Sequence, residues 1–214
     1  MKNLMLKELR LSTHPMVYMW LILITLILIP SYPYVVAFGY VFISFVFIFT
    51  GDKENNDALF TAMLPVAKKD VVQARFFTVV GIEVLSLLLA LPFAWLSTRL
   101  NPAGNPVGLD ANASLFGVAL VMYAIYNVIF IPGYYKTAWK IAIPNTIAIV
   151  LASIFAVVTE VVVSVVPAAA RFDGCAPETI GFRLAALATG AVIFVGLTLI
   201  AEHRAAANFE KVDL

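Results

Sequence analysis

Six apolar runs, at 16–30, 33–50, 76–97, 114–131, 143–166 and 182–201, recur through the 214 residues, each closed by Pro, Gly, Asn or charge. In hydrocarbon a backbone must satisfy its own polar groups, so a run of about 20 apolar residues has one solution, the membrane-spanning helix. The first run is short. Its residues 16–30 reach about 22 Å at 1.5 Å each, against ~30 Å of hydrocarbon, and a re-entrant hairpin is the rival reading. A single span over 16–50 is far too long, and Pro30-Ser31-Tyr32-Pro33 makes a turn between two short helices. With 62% hydrophobic and 13% charged residues, the chain is no ordinary soluble domain, where charge reaches about a quarter. The expected fold is all-α, with six transmembrane helices. No internal repeat or low-complexity tract marks a second domain, so 1–214 reads as a single membrane domain.

Basic residues in short loops stay on the cytoplasmic side. Eleven of the fourteen Lys and Arg lie in 1–15, 51–75, 132–142 and 202–214; the alternate segments hold only Arg99, Arg171 and Arg183. Both termini are therefore expected in the cytoplasm, with 202–214 as a tail. Basic residues before an apolar run also mark signal peptides, but prolines stand where a small-residue cleavage site belongs, so the first run reads as retained. A formal charge of +1 excludes a chain-wide field for nucleic acid. One cysteine, Cys175, closes no intrachain disulfide, and His14 and His203 form no metal-ligand cluster.

Catalytic signatures are missing: no GxxxxGK[ST] phosphate loop, GxSxG elbow, HExxH or TVGYG filter occurs. The chain is not expected to hydrolyse ATP. Its longest cytoplasmic loop, 51–75, holds a short apolar stretch, Ala58-Leu59-Phe60-Thr61-Ala62-Met63-Leu64, before Pro65, and Asp70 reads as the cap of the next helix. A helix carrying Leu59, Phe60, Met63 and Leu64 is too short to span and too apolar to stand in water. It calls for a partner's groove, or for the lipid interface or the chain's own bundle.

The run Lys53-Glu54-x-x-Asp57-x-Leu59-Phe60, followed by Met63-Leu64-Pro65-Val66-x-Lys68-Lys69-Asp70-Val71-Val72-x-x-Arg75-Phe76, resembles the cytoplasmic loop of bacterial type-2 ABC transporter permeases. The size and six-span layout are similar to the small permeases that export phenol-soluble modulins. Ala67 departs from the family, which often carries a hydroxyl residue after the Pro-Val. The resemblance implies a coupling helix between spans 2 and 3, seated in a separate ATPase subunit. Docking then falls to Leu59, Phe60, Met63 and Leu64, and loop closure to Pro65 and Asp70. It also implies two ATPase copies holding ATP and Mg, a second permease copy or paralogue, the bacterial inner membrane, and export of a peptide or lipid-like substrate. No cofactor is expected on this chain.

Other features fit more than one reading. Asn3, Lys7, Arg10 and His14 share one helical face opposite Met1, Met5 and Leu9, as in an amphipathic interfacial helix over 1–15; a plain positive anchor is the alternative. Two acids stand inside spans, where an ionised carboxylate costs ~2.5–3.5 kcal/mol. Glu83 shares its face with Ser86 and Ala90, and Glu160 belongs to a stripe with Asn145, Ser153, Ala156 and Ser164. Each is either a substrate or proton site or a structural acid, Glu160 pairing for example with Arg183. Tyr34, Phe38, Phe42, Phe45 and Phe49 recur at helical spacing, as a packing stripe or as the wall of a pathway for a hydrophobic substrate. Trp20, Trp95, Tyr134, Tyr135 and Trp139 read as interface anchors; Tyr135 and Trp139 flank Lys136 and Lys140 on a second candidate contact with an ATPase. Asn112 reads as a helix cap, and Gly181, Ala185, Ala188 and Gly190 as a close-packing edge. The rival functions are a proton-coupled secondary transporter using Glu83 and Glu160, and a non-transporting scaffold or immunity protein.

Overall fold

The computed structural model describes residues 2–8, 15–54, 66–137 and 139–211. Among them only helices and turns form: α1 (Lys2–Lys7), α2 (Met16–Ile22) continuing as a 3-10 helix (Leu23–Leu28), α3 (Tyr34–Gly39), α4 (Val41–Glu54), α5 (Lys68–Leu100), α6 (Ala113–Lys136), α7 (Ala142–Val165), two 3-10 turns (Ala169–Phe172 and Pro177–Thr179) and α8 (Ile180–Glu210). Five segments are long and apolar enough to cross a bilayer: the α3–α4 segment Tyr34–Gly51, then α5, α6, α7 and Pro177–Glu210. The sixth expected span is the short one, Met16–Leu28. Its α-helical part and its more extended 3-10 part together reach about 22 Å, below the ~30 Å of hydrocarbon. Val17, Leu21, Ile24 and Ile27 nonetheless form a fully packed inner edge.

The helices run past the expected boundaries. Charge had placed 51–75 in a loop, but α4 reaches Glu54 and α5 starts at Lys68. The cap of α5 is Ala67, not Asp70; Asp70 stands in the first turn, where an acid favours the positive end of the helix dipole. The expected tail is helical to Glu210. Span 33–50 breaks at Tyr40, between α3 and α4.

At the centre stands α6, with 72% of its apolar stretch buried against 17% in α7 and 22% in the last span. One side of α6 carries rings that meet the 34–49 stripe. Phe42 stacks on Tyr126 with centroids 4.3 Å apart, Phe38 and Phe42 meet Tyr123 edge-on, and Phe49 meets Phe130 and Tyr134 at 4.8 and 4.6 Å. Such pairs contribute about 0.5–1.5 kcal/mol each beyond burial. Opposite them, α6 meets α8 backbone to backbone. A Cβ at Gly117 would stand 2.6 Å from the Ala186 carbonyl oxygen, and one at Gly190 2.8 Å from Gly117 Cα. Glycine is what permits this crossing.

Asn112 caps α6 as its sequence position suggests, accepting from the Ser114 and Leu115 amides at 2.8 and 3.4 Å. Its amide group also donates to the Gly174 carbonyl at 2.9 Å, while the Asp110 amide donates to Asp173 at 2.9 Å. These bonds join loops 101–112 and 166–179 into a cap over one end of the bundle. At the other end, buried Arg75 on α5 pairs with buried Glu8 just after α1 and lies over the Phe49 ring, and Gln73 donates to Glu202 of α8 at 2.7 Å.

Candidate functional site

Three places gather the polar and aromatic groups that sequence singled out. The first lies between α5 and α6. Glu83 is fully buried and accepts from the side-chain amide of Asn127 at 2.9 Å; one turn on, Ser86 and Tyr123 hydroxyls are 2.8 Å apart. Neither Glu83 Oε1 nor Asn127 Oδ1 meets a donor among the described residues. Tyr126 extends the cluster to α7 by donating to Asn145 at 2.8 Å. This is a dense polar knot in an apolar bundle, where an unmet acceptor costs about 1–3 kcal/mol. Asn127, Tyr123 and Tyr126 went unread in the sequence, although their spacing from 123 to 126 and 127 puts them on one helix face.

The second is the ring stripe. Tyr34, Phe38, Phe42, Phe45 and Phe49 are all at most 2% exposed, and the four phenylalanine rings meet rings of α6. Tyr34 reaches Ser97 of α5 at 3.1 Å.

The third is a groove of about 550 Å³ between α3–α4, α6 and α7. Phe42 is the one ring of the stripe that borders it, beside Val35, Met122, Ile149, Val157 and Glu160. The groove faces α7 along Ile149, Ser153, Ala156, Val157, Glu160 and Val161, a single helical stripe. It is bordered at the capped end by Pro33 and Val107, and opens sideways past Val36, Val157 and Val161, which are exposed. Of the expected α7 stripe, Ser153, Ala156 and Glu160 border it; Asn145 is held by Tyr126, and Ser164 bonds to its own helical turn.

Glu160 does not pair with Arg183. Its Oε2 accepts from the Leu109 amide at 2.7 Å, and its carboxylate lies against Gly108, where a Cβ would collide with it. Arg183 instead donates to the Gly174 and Ala176 carbonyls, because the capping loops present carbonyls where the charge emerges. Beside it, burial pushes the Cys175 thiol above its usual range, helped by the Asp110 carboxylate, and burial likewise raises Asp110 itself.

The coupling residues Leu59, Phe60, Met63, Leu64 and Pro65 lie outside the described residues, as do Met1, Leu9, Arg10 and His14 of the expected amphipathic face. Asp70 stands at the start of α5, half-buried. Near it, Lys68 lies over the Phe209 ring at 5.6 Å, and Phe209 packs on Tyr135 and Trp139. Tyr134 and Tyr135 are thus buried instead of anchored at the interface, while Lys136 and Lys140 point outward. Trp95 is 63% exposed under Arg99, as an interface ring should be.

The sequence model of one family, described as ABC-2 family transporter protein, matches residues 3–202. No curated protein and no solved structure matches the chain.

Proposed function

The chain belongs to the ABC-2 family of transporters, and from that premise we propose that it serves an ATP-driven exporter moving amphipathic or hydrophobic compounds, peptides or lipid-like molecules, out of a bacterial cell. As a member it is a transmembrane permease, not a nucleotide-binding protein, and ATP is hydrolysed by a separate ATPase subunit with which it associates. The observation that supports the substrate class is the sideways-opening apolar groove beside α7. Its walls give dispersion contact and few hydrogen bonds, so a substrate drawn from the bilayer is held without the directional contacts a sugar requires.

In this reading both termini are cytoplasmic, two permease chains and two ATPase subunits make the working unit, and ATP with Mg sits on the ATPase. Closure of the ATPase pair presses on Leu59, Phe60, Met63 and Leu64, with Pro65 and Asp70 closing the loop behind them. The load passes to α5 through Lys68 and to α8 through Gln73 and Glu202, which are already joined. Helices tied this way move as rigid bodies and repack at their contacts.

Replacing Phe60 and Met63 with Asp is expected to abolish copurification of the ATPase and to uncouple ATP hydrolysis from transport, with the permease still inserted. Retained assembly and transport in that variant refutes the coupling assignment.

A further inference from the structure

We propose that the groove beside α7 is a site for a single-chain cationic amphiphile, its apolar chain lying between α4 and α7 and its ammonium head at Glu160. The proposal rests on the permease reading and narrows its substrate class.

The length of the groove suits one extended chain. From Ile149 to Val161 the groove follows α7 for about 18 Å at 1.5 Å per residue, slightly more than one leaflet of a ~30 Å hydrocarbon core. The groove holds about 550 Å³, inside the ~300–1,000 Å³ range of small-molecule sites. Its open side, past exposed Val36 and Val157, admits a chain from the bilayer without removing it from hydrocarbon.

Charge fixes the head group. Glu160 is the one charged residue bordering the groove. It stands at the capped end beside Pro33 and Val107, where an amphiphile's head belongs when its chain points toward the bilayer centre. Leu109 satisfies Oε2, while Oε1, shielded from solvent beside Gly108, meets no donor among the described residues, and a turn of the carboxylate brings it to a head group in the groove. An ammonium supplies donors and opposite charge together, whereas an alcohol supplies one neutral donor and a carboxylate is repelled. The Ser153 hydroxyl, about 10 Å further along the same face, gives a second polar stop.

The test uses the full chain in phosphatidylcholine liposomes, with and without its ATPase. The probe is hexadecylamine with a diazirine in its chain, compared with the matched hexadecanol and hexadecanoic acid. Labelling of peptides 34–43 and 149–161, normalised to the lipid-facing side of α5, is expected to favour the amine about tenfold over the alcohol. Glu160→Gln brings that ratio close to one, and Val157→Trp, which fills the groove, removes labelling by all three. Equal labelling by amine and alcohol in the unmodified chain overturns the proposal without any variant. So does an amine preference that survives Glu160→Gln, or displacement of the amine by a helical peptide at equal concentration. Loss of ATP-driven transport with groove labelling intact counts against the exporter reading alone. Missing head-group preference with transport intact counts against this site alone.

Discussion

Substituting Gly190 by Ala tests whether the α6–α8 crossing is what sets the geometry of the bundle. The added Cβ would stand 2.8 and 2.9 Å from Gly117 Cα and C, and closer still to the Gly117 oxygen. Carbon atoms rest at about 3.5 Å or more, so the crossing must open by about 0.7 Å, and the contacted atoms are backbone that cannot rotate away. Overpacking of this kind costs about 1–3 kcal/mol. For a chain of this size about 2 kcal/mol lowers the melting temperature by roughly 4–8 °C. Two controls lie on the same helix: Gly181 and Gly196 have open space where a Cβ would stand, and alanine there is expected to be neutral or slightly stabilising through helix propensity. Gly117→Ala should resemble Gly190→Ala, and the double variant should lose less than the sum, because both act on one contact. Loss of the monodisperse peak on heating, followed by fluorescence-detected size exclusion in detergent, reads all five. A Gly190→Ala melting temperature within error of Gly196→Ala refutes the reasoning.

Four other outcomes are expected. Cys175 should react with a membrane-impermeant thiol reagent from outside intact cells, and Asn55→Cys only after lysis; the reverse pattern overturns the orientation. Because burial and Asp110 hold the Cys175 thiol above its usual range, its thiolate fraction and labelling rate should still climb beyond pH 9, the ordinary value for a thiol, and level off only above it. Arg75→Met should cost about 1–3 kcal/mol, because buried Glu8 loses the guanidinium and keeps the Lys7 ammonium at 3.3 Å, and Glu8→Gln with Arg75→Met should recover part of that melting temperature. Glu83→Gln should retain ATP-dependent transport in proteoliposomes without a pH gradient, since an amide cannot carry a proton; transport that follows a gradient and stops in this variant favours the proton-coupled reading.

The apolar runs and the ring stripe were legible because both write themselves in residue type at helical spacing. Phe38, Phe42, Phe45 and Phe49 stand out on a small face. Their partners Tyr123, Tyr126 and Phe130 do not, since α6 is buried on nearly every side and its rings merge into a uniformly apolar run, and Tyr134 reads as an interface anchor instead. Gly190 was visible as a small residue, but not that Gly117 receives it, because a crossing is a property of two distant segments. Glu160 was visible as costly inside a span. Its partner was not, for the Leu109 amide is backbone and every residue but proline carries one. Charge misled at the helix ends: Lys68 and Lys69 read as loop and Asp70 as the cap, yet all three stand in the first turn of α5, since polar residues continue a helix readily once it leaves hydrocarbon.

Those extra turns have a mechanical consequence. Residues 68–75 carry α5 about 12 Å beyond its apolar stretch, and 202–210 carry α8 about 13 Å beyond its own, on the same side. If the bundle rocks during transport, each acts as a lever pivoted within the membrane, with its long arm at the Glu8, Arg75 and Glu202 end. A tilt of about 10° about the bilayer midplane moves the tip of α5 by about 5 Å and its opposite end, half a ~30 Å core away, by about 3 Å. At that far end α5 runs into the loop whose Asn105 side chain donates to the Tyr32 carbonyl at 3.0 Å. Three ångströms is more than a hydrogen bond can stretch. A modest swing at one face of the membrane is therefore geared to unfasten the cap at the other.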